Sequence, residues 1–276
     1  MMRMVVEFNG QHYEVDHRPV ELAQPLDFYG AQPQAFGLGR ASARAVEGGS
    51  FVGDVRRGGS VNCEAVELIA HGHGTHTECA GHITGERMAV GSLAPEALIP
   101  ATLLRVKTCA LEECPEHTAG ISAPGDRVIS AAALQAALVR AAAPGEFVRA
   151  ILIATAGPGA AIPLRDYSGT NPAYFTAEAI AWLLARGCEH LLVDLPSIDR
   201  EDDGGTTPAH HAYFGVDPQG GLDQAGRRRT ITEMIAVPDD LEEGAYFLSL
   251  RFARFLLDAA PSRPVLYRAL ACERSY

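Results

Sequence analysis

The chain has 276 residues, 47% of them hydrophobic and 21% charged, which excludes a disordered or collagen-like protein and allows a core that needs no disulfide or metal staple. Thirty-four acidic residues against 23 basic ones give a net charge of −11, the wrong sign for sequence-independent phosphate binding. The short Arg227-Arg228-Arg229 run is too isolated to reverse it, so no nucleic acid is expected as a partner. No apolar run approaches the roughly 18 residues of a membrane helix, and Glu7 interrupts the N-terminus before a signal-peptide core develops. Six scattered cysteines with no CxxC pair read as reduced thiols, so a cytoplasmic location is expected.

In chain order, Met4–Phe8 and His12–Val15 flank Asn9-Gly10, a hairpin signal. Proline, glycine and small residues from Pro19 to Ser50 predict a long meandering arm, so residues 1–50 read as a hairpin followed by an extended segment. Val61–Ala70 reads as a strand running into a histidine cluster, and Ala101–Lys107 as another strand. Ser130 can cap a helix over Ala131–Ala143, stopped by Pro144-Gly145, and Thr176 a second over Ala177–Arg186, closed by Gly187. Val148–Thr155 and Leu191–Leu195 are continuous apolar runs of strand length, as in strands buried on both faces. A short helix is expected over Pro208–Phe214, an inserted polar loop over Gly215–Arg229, and strands over Thr230–Val237, Ala245–Phe252 and Val265–Ala271. Alternating strands and helices with no break in composition predict one α/β domain, a mixed sheet with packed helices.

The chemistry concentrates in His71-Gly72-His73-Gly74-Thr75-His76-Thr77-Glu78-Cys79-Ala80-Gly81-His82. Three glycines make a helix improbable here. In an extended chain His76, Glu78 and His82 share parity and project to one side. Two imidazoles and a carboxylate on one face form half of a divalent metal site, the carboxylate being able to bridge two ions. His71 and His73 have the opposite parity, and a bulge at Gly72 or Gly74 would bring one of them round. A single histidine is ordinarily a surface or core residue, but four within this segment with a glutamate favour a site. His210-His211 alone would read as a polar helix face, Glu233 as a solvent-facing strand residue, and Arg200–Asp203 as a solvated loop. Asp194 and Asp199 end a strand, where they either orient neighbours or cap loops.

The segment resembles the signature of the metal-dependent hydrolases related to bacterial kynurenine formamidase, the cyclase family: His-x-Gly-Thr-His-x-Asp-x-Pro-x-His. Gly74-Thr75-His76, Glu78 and His82 fall in register with it. Gly72 stands at the first histidine position, Glu78 replaces the aspartate and Ala80 the proline. Asn171–Ala179, Val193–Asp199, His210-His211 and Ile231-Thr232-Glu233 resemble further family segments, so the likeness runs from Glu64 to Ala269.

The resemblance implies a swivelling β/β/α-type fold assembled as a homodimer or higher homo-oligomer, and one or two zinc or manganese ions per subunit. It assigns a first ion to His76, Glu78 and a histidine of the 71–73 segment, with His71 favoured over His73 because Gly72 frees it to fold back. A second ion falls to Glu78, to His210 or its neighbour His211, and to Glu233, while His82 becomes the general acid and base. The Gly215–Arg229 insertion lengthens the usual spacing between the two late ligands. A bound ion would make water nucleophilic near neutral pH and polarise a carbonyl. No Gly-x-Ser-x-Gly elbow offers a covalent route. The expected reaction is hydrolysis of an amide-type C–N bond in a small molecule, an N-formyl amide such as an arylformamide or a cyclic amide. The alternatives are a lactonase or dehydratase, or a relative without catalysis that serves as a ligand-binding or scaffold protein, to which Gly72 at a ligand position points.

Overall fold

The computed structural model describes residues 4–155 and 165–272; Met1–Arg3, at the start of the N-terminal reading, lie outside them. An eleven-stranded mixed sheet forms the body of the protein. At its centre four strands run parallel, in the order Ile99–Arg105, Ala150–Ala154, His190–Val193 and Thr230–Glu233. Antiparallel strands extend both sides. Gly244–Ser249 and then Val265–Cys272 lead to the N-terminal hairpin Met4–Phe8 and Gln11–Val15, formed as expected. On the other side, His76–Glu78 pairs with Thr230–Glu233 and is covered by the short edge strand Ala259–Pro261.

Because the central strands are buried on both faces, their residues feed two cores alternately. Ile151 and Ile153 join the helices' side with Leu134, Phe175, Leu183 and Tyr213. Ala150, Leu152 and Ala154 join the opposite core with Leu103, Tyr246 and Leu266. This explains the unbroken apolar run in the sequence. Three helices pack on the first side: α1 (Ala131–Ala141), α2 (Ala177–Ala185) and α3 (Pro208–Phe214). Ser130 and Thr176 cap the first two, each accepting from the backbone N–H three residues on at 3.1 Å, a contribution of about 1 kcal/mol apiece.

Several boundaries differ from the sequence reading. The strand expected over Val61–Ala70 shortens to Glu64–Glu67, pairs with Ser42–Ala45 in a separate small sheet, and gives way to a 3₁₀ turn at Ala70–Gly72. The run over Thr230–Val237 ends as a strand at Glu233, because Met234 takes a left-handed φ of 53° that breaks the ladder. The arm is more structured than expected: Leu22 enters the core, and the Ala35 N–H donates to the Gly72 carbonyl at 3.2 Å. Among the described residues no helix is long and apolar enough to cross a membrane, and all six cysteines are free thiols.

His190 carries a pH prediction. It lies in the central sheet, its Nδ1 2.8 Å from Thr230 Oγ1 on the neighbouring strand, and burial pulls its imidazole down to about 4. Between about pH 6.5 and that value the unfolded chain binds a proton that the folded chain refuses, so stability falls as the pH drops, by about 3 kcal/mol in full. Urea unfolding at pH 7 and about pH 4.5 should show this loss, and His190→Gln should remove much of it.

Candidate metal centre

The histidine-rich segment reaches the sheet edge by three local devices. At Ala70–Gly72 the chain makes a 3₁₀ turn, and Gly72 lies so close to Leu38 that a Cβ would stand 2.3 Å from its Cδ1 and push that side chain aside. Gly74 has φ +87°, a left-handed conformation that glycine adopts without strain, and its carbonyl accepts from His76 Nδ1 at 3.0 Å. Thr75 Oγ1 donates to the Met234 carbonyl at 2.6 Å, tying the segment to the end of the Glu233 strand. His76–Glu78 then enters the sheet, where Glu233 pairs with His76 and Ile231 with Glu78.

His82 arrives differently from the strand parity expected of it. The strand ends at Glu78, and a 3₁₀ turn over Ala80–His82 swings the imidazole back until Nε2 lies 3.9 Å from Glu78 Oε2. From across the sheet, α3 delivers His210. Asp199 accepts from the Ala209 and His210 N–H groups at 2.7 and 3.1 Å, capping the helix, and from His210 Nδ1 at 2.6 Å. That bond turns His210 Nε2 toward Glu78 Oε1, 3.1 Å away, and Glu233 Oε1, 3.6 Å away. The Gly215–Arg229 insertion therefore does not separate His210 from Glu233. It folds back under α3, with Arg229 Nη1 donating to the Tyr213 carbonyl at 3.0 Å, and returns the chain to the adjoining strand.

His71, His76 and Glu78 offer donor atoms that all lie within 4.8 Å of one another, and so do Glu78, His82 and His210. His71 Nδ1 is 3.0 Å from Glu78 Oε2, and His76 Nε2 is 3.3 Å from Glu233 Oε2. Glu233 thus joins the cluster by pairwise approaches to His76 and His210. The choices left open by the sequence separate here. His73 points away, accepting the Ile69 N–H and donating to the Gly39 carbonyl, and His211 Nδ1 donates to the Thr207 carbonyl. His71 is brought in by the 3₁₀ turn, not by the flexibility of Gly72.

Glu78 is fully buried and Glu233 almost so, and the cationic partners that face them are imidazoles: His71, His82 and His210 at Glu78, His76 and His210 at Glu233. His76 Nε2, both Glu78 oxygens and Glu233 Oε1 are buried without a hydrogen-bond partner. Burial pushes the Glu78 carboxyl up, but the charge and N–H of His210, with His71 and His82 beside it, together outweigh burial and hold the group well below the ordinary range. Burial pulls His71 down, yet hydrogen bonding to Asp258 and the Glu78 carboxylate lift its imidazole to about 10; His210 is raised in the same way by Glu78 and Asp199. Imidazole nitrogens and carboxylate oxygens facing one point, with orphaned lone pairs, are a donor set that fits zinc or manganese. The lone pairs that now attract protons are those a divalent cation would use.

Sequence reasoning missed Asp258, whose Oδ2 lies 2.8 Å from His71 Nε2 and 3.3 Å from His82 Nδ1. It stands 187 positions from His71 with no motif around it; only the pairing of Ala259 with Glu78 brings it alongside.

Sheet, helices and cluster together define an α/β protein with a candidate divalent-metal centre at the sheet edge. Residues 17–200 match the family model described as a putative cyclase, and the chain belongs to the cyclase family. The matched stretch holds His71 to His82, while His210, Glu233 and Asp258 lie beyond it. A solved structure described as a predicted metal-dependent hydrolase from Bacillus stearothermophilus is 14% identical, with a TM-score of 0.54 over 91% of this chain and 98% of that one. Isatin hydrolase A from Labrenzia aggregata is 16% identical, with a TM-score of 0.57 over 91% and 93% of the two chains. The isatin hydrolase A of Ralstonia solanacearum is also 16% identical, at 0.55 over 91% of each. At these identities the likeness is one of fold. No curated protein matches the chain.

Proposed function

We propose that this protein is a divalent-metal-dependent hydrolase that cleaves an amide-type C–N bond in a small molecule, an N-formyl amide or a cyclic amide. The observation that carries the reading is the convergence of buried His76, Glu78 and Glu233 atoms that make no well-formed hydrogen bond, although imidazole nitrogens stand 3.0 to 3.3 Å from the two carboxylates. A buried carboxylate oxygen without a donor costs several kcal/mol unless a cation meets it. His71, His76 and Glu78 would hold a first ion, and Glu78, His210 and Glu233 a second, with Glu78 shared. A divalent ion bound there supplies an acidified water and polarises a carbonyl oxygen.

The chain's own groups do the rest. His82 is the outermost imidazole, its side chain 30% exposed while Glu78 is sealed, so it stands where a substrate would enter. Its Nε2 faces Glu78 and is placed to take a proton from the attacking water and return it to the departing nitrogen, which leaves poorly without one. An imidazole is suited to both transfers near neutral pH. The segment leading to Asp258 exposes Phe255, Leu256 and Leu257, an apolar stretch that suits an aromatic or cyclic substrate. The solved isatin hydrolases, named for a cyclic amide, favour the same bond class. The rival of a non-catalytic relative rested on Gly72, and the placement of His71 beside Glu78 weakens it.

The test is turnover of an N-formyl anilide, a cyclic imide and a lactone by zinc- and manganese-loaded protein, with and without chelator. One of the two C–N substrates should be cleaved fastest, chelation should abolish cleavage, and added ion should restore it. A folded protein that takes up neither ion, or that turns over the lactone alone, would overturn the proposal.

A further inference from the structure

Asp258 directly precedes the edge strand, where its own carbonyl accepts the Cys79 N–H at 3.0 Å and Ala259 pairs with Glu78. Backbone bonds therefore fix it beside the histidine segment. A single oxygen, Oδ2, meets His71 Nε2 at 2.8 Å and His82 Nδ1 at 3.3 Å. The two rings are stacked, with centroids 4.0 Å apart and planes 27° from parallel. A carboxylate oxygen accepts and does not donate, so both contacts require N–H on the imidazoles. That leaves the opposite nitrogen of each ring facing the cluster: His71 Nδ1, 3.0 Å from Glu78 Oε2, and His82 Nε2, 3.9 Å from the same oxygen. Gly74 and Asp199 do the same for His76 and His210, where, as in His82 and unlike His71, the bonded nitrogen is Nδ1 and the inward one Nε2.

From this arrangement we infer that Asp258 is a positioning residue that sets the tautomers of two imidazoles at once, presenting Nδ1 of His71 as a metal donor and Nε2 of His82 as the proton acceptor. Removing a carboxylate partner of a ligating histidine ordinarily weakens metal affinity 10–100-fold. The inference rests on the metal-centre reading, and the experiment separates the two.

Histidine-labelled protein is examined by nitrogen NMR with and without zinc, His82 being assigned from the spectrum of His82→Ala, and zinc affinity is measured by calorimetry. The wild type should show His82 protonated at Nδ1. In Asp258→Ala this resonance should move toward the Nε2-protonated pattern, and zinc affinity should fall about 10–100-fold with the number of ions at saturation unchanged. Asp258→Asn keeps an acceptor oxygen and should restore the wild-type pattern and most of the affinity. An unaltered His82 pattern in Asp258→Ala would overturn the inference. So would loss of a bound ion at saturating zinc, because Asp258 would then be a direct ligand. If the wild type binds neither zinc nor manganese, the hydrolase reading fails, and the His82 pattern of the metal-free protein still decides Asp258.

Discussion

Glu78→Gln should abolish metal binding while leaving the fold intact. The substitution keeps the shape of a fully buried side chain in the strand between Thr230–Glu233 and Ala259–Pro261. It removes the negative charge that faces His71 and His210 and puts a donor where a cation would need an acceptor. Elemental analysis after dialysis should find zinc or manganese near one to two equivalents in the wild type and close to none in the variant, with unchanged far-ultraviolet circular dichroism. A ligand held at about 1,000 times its dissociation constant stabilises by about 4 kcal/mol. With roughly 2–4 °C per kcal/mol for a chain of this size, zinc should raise the wild-type Tm by about 10 °C and leave the variant unmoved. Equal metal content in both proteins would remove Glu78 from the centre.

His82→Ala should separate chemistry from metal binding. His82 is the most exposed imidazole of the cluster, so its loss opens no large cavity. The ions should remain, held by His71, His76, Glu78, His210 and Glu233. Turnover should drop by about 10²- to 10⁴-fold, the range expected for a general acid–base group. The fall should appear in kcat more than in KM, because proton transfer is a transition-state contribution. Loss of the metal in this variant would make His82 a ligand, and unchanged turnover would remove it from the mechanism.

Local signals were read correctly wherever a few neighbouring residues decide the outcome. Ser130 and Thr176 cap their helices because a hydroxyl reaches an N–H three residues ahead whatever surrounds it. Asn9-Gly10 turns the first hairpin for the same reason. The Gly-Thr-His segment is legible as unusual chemistry, and the resemblance it carries agrees with the family model that matches residues 17–200. The errors fall where a contact from far along the chain intervenes. Glu233 ends its strand because Met234 turns left-handed to meet Thr75, 159 positions away. His82 joins the cluster through a 3₁₀ turn that strand periodicity does not describe.

Composition, capping residues and apolar runs thus determined the α/β class, the helices and central strands, and the set of histidines and glutamates worth considering. The tertiary structure alone decided that His71 faces Glu78 while His73 bonds to Ile69 and Gly39, that His210 and not His211 turns inward, and that Asp258 belongs to the cluster. The reason is physical. Periodicity and capping act over a few residues, whereas a ring nitrogen takes its direction from particular hydrogen bonds, some local, as Gly74 to His76, and some delivered by chain return, as Gly39 to His73 across 34 positions and Asp258 to His71 across 187.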